Sequence, residues 1–140
     1  MNDNPMNLAQ AAGVVSRHLI EHGLPEPASL HLTTDLTGHP ELRVHTSAVG
    51  LRGTAAALLA WADTLTTVSL RAWRPPAGDW VHLDLNATLT SPHGAVSVMV
   101  FGGVAFDPAL FGGLEPRQST PLTLGQLIAW ADGGRTAVAA

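Results

Sequence analysis

Val81-His82-Leu83-Asp84-Leu85-Asn86-Ala87-Thr88-Leu89 places apolar and polar side chains in strict alternation, the period of a strand with one buried and one wet face. The pattern continues on both sides. Upstream, before the turn Pro75-Pro76-Ala77-Gly78, Val68, Leu70 and Ala72 alternate with Ser69, Arg71 and Trp73. Downstream, after Ser91-Pro92-His93-Gly94, another strand runs from about Ala95 to Phe101. Short turns between alternating runs predict an antiparallel meander.

Before the meander, Ser29 to Thr34 and Glu41 to Thr46 form a second alternating set around Thr37-Gly38-His39. Leu30, Leu32, Leu42 and Val44 point one way, and His31, Thr33, Arg43 and His45 the other. Three helices complete the chain. Leu8, Ala11, Ala12, Val15 and Leu19 predict one from about Asn7 to His22, stopped by Gly23 and Pro25; Leu58, Leu59, Ala62 and Leu65 predict another over Thr54 to Leu65. The last starts at Thr123, where Gln126 completes a capping box and Leu122 staples onto Leu127, and it stops at Asp132-Gly133-Gly134. The reading is one α+β domain over residues 1–140, with a mainly antiparallel sheet of about five strands. Its order is α-β-β-α-β-β-β-α, with residues 135–140 expected to fray. Gly102 to Ser119, rich in Gly and Pro, is expected to be a packed loop or a mobile flap.

Thr54 to Asp63 and Thr123 to Asp132 share six of ten residues at a constant offset of 69, including Trp61 and Trp130. This echo predicts either a ββα duplication or two alanine-rich helices that converged on one solution. In both cases the tryptophans anchor helices on the sheet.

Hydrophobic residues make up 46% of the 140-residue chain and charged residues 13%, enough apolar surface for a packed core. The absence of cysteine excludes disulfides, thiolate metal sites and cysteine nucleophiles. Seven basic residues, all arginine, stand against eleven acidic ones, for a net charge of -4 with no basic cluster, so nucleic acid is not an expected partner. No stretch approaches a membrane span and none resembles a signal peptide, which predicts a cytoplasmic protein. Arginine without lysine, no tyrosine, and isoleucine only at positions 20 and 128 fit a high-GC bacterial genome.

His18-Leu19-Ile20-Glu21-His22 resembles the H-x-x-E-H motif of inverzincin metallopeptidases, in which two histidines bind zinc and the glutamate activates water. The resemblance implies a third ligand, usually a glutamate on a later helix. The remaining glutamates, Glu26, Glu41 and Glu115, fall in predicted loops or at a strand edge, so the motif reads as a polar helix end. Phe101-Gly102-Gly103 and Phe111-Gly112-Gly113 lack the lysine and the following helix of a phosphate loop, and read as packing elements. No serine elbow, P-loop or dinucleotide fingerprint is present.

Two surfaces remain. If the first hairpin closes with a three-residue loop, His31 faces His45, and His82 with Asp84 joins them if its strand lies alongside; this set would suit a small molecule or a metal. The other surface is the outward row Trp73, Trp80, Met99 and Phe101, where a solvated sheet face should be polar. With Trp73 and Trp80 opposed across the Pro-rich turn, this row predicts a non-catalytic interaction or regulatory module, as a homodimer or with another protein, and no cofactor.

Overall fold

The computed structural model describes residues 6–138. Asn7 opens α1 (Leu8–Glu21) with a reciprocal cap: its side chain accepts from the Gln10 N–H and the Gln10 side chain accepts from its own. The strands β1 (Pro27–Thr34) and β2 (Pro40–Thr46) follow, then α2 (Gly50–Ala62), β3 (Thr66–Trp73), β4 (Trp80–Ser91) and β5 (Gly94–Ala105). The chain closes with a short α3 (Pro108–Phe111), β6 (Ser119–Leu122) and α4 (Leu124–Ala131), whose Thr123–Gln126 capping box forms as its sequence predicts.

Among the described residues six strands join one mixed sheet in the order β1-β2-β5-β4-β3-β6. Every neighbouring pair is antiparallel except β2 and β5. The α+β class and the mainly antiparallel sheet agree with the sequence. The extra helix comes from the segment read as an irregular loop, and the extra strand begins at its last residue, Ser119, and runs on to Leu122. Gly102 and Gly103 continue β5, and Leu110, Phe111 and Leu114 are buried in the core. Glycine at 102 marks a close approach, since a Cβ there would lie 2.7 Å from Thr46 Cγ2 and 2.9 Å from Thr54 Cγ2.

The alternation seen in the sequence divides the sheet cleanly. Leu42, Val44, Leu83, Leu85, Val98 and Val100 are at most 2% exposed and face the helices. Trp61 of α2 and Trp130 of α4 are buried against them, so the echoed tryptophans are helix anchors. The two helices also pack on each other, and Arg52 Nε of α2 donates to the Ala131 carbonyl at the α4 C-terminus, 3.1 Å away. The echo resides in these helices: α2 follows the β1–β2 hairpin, whereas α4 follows β6, which pairs with β3. Helix α2 begins at Gly50, four residues before Thr54, and Gly50, with a φ of 77°, turns the chain into it.

Two expected details are corrected. The first hairpin pairs Leu32 with Leu42 and His31 with Arg43, a register two residues from the expected one, so His31 does not face His45. Asp35 is the cause. Its carboxylate accepts from the backbone N–H groups of Thr37 and His39 and from the Thr37 hydroxyl, and Gly38 takes a φ of 85°. This network holds the loop open over residues 35–39. The same bonds, led by that of the Thr37 hydroxyl, hold the Asp35 carboxyl below the usual carboxylate range. The second correction concerns the C-terminus. Residues 135–138 are tethered: Trp130 Nε1 donates to the Thr136 carbonyl at 2.8 Å, Val138 N to Leu110 O at 2.7 Å, and Arg135 pairs with Asp107. Residues 139–140 of the expected frayed tail lie outside the described residues.

Candidate functional site

The sheet face turned away from the helices carries the unusual residues. Strand register lines up Ser29, His45, Phe101, Asp84, Arg71 and Pro121 in one row across it. The next row holds Gly103, His82, Trp73 and Ser119, and Trp80 follows opposite Ala105. The rings touch in sequence. His45 stacks on Phe101 with centroids 4.9 Å apart and planes within 6°, His82 lies 6.4 Å from Phe101, and Trp73 lies 5.6 Å from His82. The result is an aromatic strip across strands β2, β5, β4 and β3.

Asp84 lies within this strip and is 2% exposed. A buried carboxylate needs a partner, and Arg71 supplies one, its Nε 3.0 Å from Asp84 Oδ2. The pair is a directly opposed cross-strand couple. Trp80 is the most exposed aromatic residue of the strip at 56%, its ring beside Gly103. Met99 sits one row back, half-buried, opposite Asn86 on β4 and Arg43 on β2. A shallow depression of about 380 Å³ adjoins it, lined by Glu41, Arg43, Ser69, Asn86, Ser97 and Met99 among others.

Trp73, Trp80, Met99 and Phe101 therefore share the uncovered face, as their parity predicts. Trp73 and Trp80 are not opposed: Trp73 faces His82, because the turn after β3 is longer than a tight hairpin. The polar candidates divide. His45 and His82 lie on either side of Phe101, His31 lies diagonally from His45 at the sheet edge, and Asp84 is engaged by Arg71. Among the described residues no group of three His, Cys, Asp or Glu side chains gathers as a metal would require.

The H-x-x-E-H segment ends α1. His18 is buried, with its ring 4.5 Å from that of His22 and 6.0 Å from Trp61. His18 Nε2 lies 2.8 Å from Thr64 Oγ1, and that hydroxyl donates to the Trp61 carbonyl. With its proton so committed, the hydroxyl accepts from His18 Nε2–H. Thr64 carries no pattern that would have marked it in the sequence. A groove of about 410 Å³ runs between α1 and the β4–β5 turn, lined by Gly13, Arg17, His18, Glu21 and His93 among others.

Burial holds the His18 pKa below the usual histidine value; the His22 charge adds to this and Glu21 opposes it. Protonation is thus easier in the unfolded chain, so the His18 contribution is full above about pH 6.5 and falls away as the pH drops through that value. The urea midpoint should decline between pH 7 and pH 5, with a shallower decline in His18→Asn. Parallel declines in the two proteins would assign the dependence to other groups.

Comparisons with protein-family models, with curated proteins and with solved structures find no match to this chain.

Proposed function

We propose that this chain is a non-catalytic protein-interaction or regulatory module that docks a partner protein on its helix-free sheet face. The observation that carries the reading is the aromatic strip of His45, Phe101, His82 and Trp73, with the exposed Trp80 on the same face beside Gly103. A solvated sheet face is ordinarily polar, and continuous rings with an arginine among them match the composition of interface centres. Arg71 already holds its counter-ion in Asp84, which reduces the cost of removing it from water when a partner docks. The net charge of -4 and the lack of a basic cluster make a protein a better fit than nucleic acid. Among the described residues no helix is long and apolar enough to cross a membrane. With the arginine-only basic composition, this fits a cytoplasmic protein of a high-GC bacterium. Phe101 lies between the rings of His45 and His82, and Asp84 is paired with Arg71, an arrangement that supports a docking face over a ligand site at His31, His45, His82 and Asp84.

Site-specific photo-crosslinking in cells tests the proposal. A photoreactive residue in place of Trp80 should give one discrete heavier species, suppressed by Phe101→Glu, while the same probe at exposed Asp63 on the helix side gives none. Equal labelling from both positions, or none from position 80, would overturn it.

A further inference from the structure

We infer that β1 is a homotypic docking edge, and that two copies of this chain pair antiparallel through it to form one continuous twelve-stranded sheet. The inference is independent of the face-docking proposal, since it concerns backbone pairing at the sheet edge.

The two edges of the sheet differ. β6 is four residues long and contains Pro121, which has no N–H to offer, so this edge is blunted. β1 is eight residues long and has no Asp, Glu, Lys or Arg between Pro27 and Thr34. Its proline occupies the first position, where the ladder is already irregular. Among the described residues, no hydrogen bond from outside the β1–β2 ladder reaches residues 27–34. An uncharged strand with a free row of backbone donors and acceptors is a template for another strand.

The side chains indicate which strand fits. Leu30 pairs with Val44 and Leu32 with Leu42, so both leucines belong to the helix-facing layer. That layer stops short at the edge: Val44 and Leu42 are at most 1% exposed, whereas Leu30 is 41% exposed. An antiparallel copy centred on His31 sets Leu30 against Leu32 of the second copy, and Leu32 against its Leu30, extending the apolar layer across the seam. On the other face Ser29 meets Thr33, and His31 meets itself. Such a two-fold contact uses the same patch on both copies and closes after two, because the β6 edges left at the ends are blunted.

Native mass spectrometry and sedimentation of the full chain test this, and His31 gives the register. The wild type should run at twice the 14.6 kDa chain mass. His31→Glu and His31→Lys each place like charges face to face at the axis, and each should weaken the dimer about tenfold or more. Mixing the two variants should restore a dimer containing one of each. His31 is exposed, so neither variant disturbs the core. Trp80→Glu should leave the dimer intact. A monomeric wild type, a dimer indifferent to both His31 variants, or a dimer lost in Trp80→Glu would each overturn the inference.

Discussion

Trp130→Ala is expected to cost about 4 kcal/mol of folding free energy, the range for truncating a fully buried tryptophan. The indole is 0% exposed, meets the Phe111 ring edge-on at 5.9 Å, and donates to the Thr136 carbonyl. Removing it opens a cavity under α4 and releases the C-terminal tether together. For a protein of this size such a loss is a large share of total stability, visible as a lower urea midpoint. Trypsin cleavage after Arg135 should accelerate in the variant. Trp61→Ala should lose comparable stability, since Trp61 is 2% exposed, without a matching rise in local cleavage at Arg135 under native conditions. A Trp130→Ala loss below about 1 kcal/mol would contradict the described packing.

Gly102→Ala should be nearly as damaging, at about 3 kcal/mol, although it adds one methyl group. The new carbon would lie within 3 Å of two methyl groups at once, those of Thr46 and Thr54. Both threonines are buried and β-branched, so neither swings aside freely. Thr54→Ser removes one of the opposing methyls and should recover roughly 1 kcal/mol of the Gly102→Ala loss, a coupling that a double-mutant cycle reads directly. Additive effects would place the strain elsewhere. Among the described residues the buried Thr54 hydroxyl has no hydrogen-bond partner.

For the strands marked by alternation, the face of each residue is legible from the sequence because side-chain direction follows the two-residue period alone. Trp73, His82 and Phe101 could therefore be assigned to one surface before their neighbours were known. Register was not legible to the same degree, since it depends on turn length, and the Asp35 side chain sets that length by bonding to two backbone N–H groups. The neighbours of β5 are likewise hidden: its pairing with β2 joins residues 56 positions apart, and no local pattern encodes it. β6 was missed because four residues containing a proline carry too little alternation to register. Nothing in the sequence marks the tail as anchored, because its anchors, the indole of Trp130 and the backbone of Leu110, become partners only after folding.

The parallel β2–β5 contact also constrains how the chain is made. Synthesis delivers α1, β1, β2 and α2 well before residues 94–105, so the inner side of β2 has no neighbour while β3 and β4 emerge. The two parts of the sheet are joined late, when one strand arrives and satisfies β2 on one flank and β4 on the other. Loop closure over that span makes the joining step slow relative to hairpin formation. A nascent chain halted before residue 94 would thus present one open flank of β2 and one of β4, unpaired strand edges of the kind that promote aggregation.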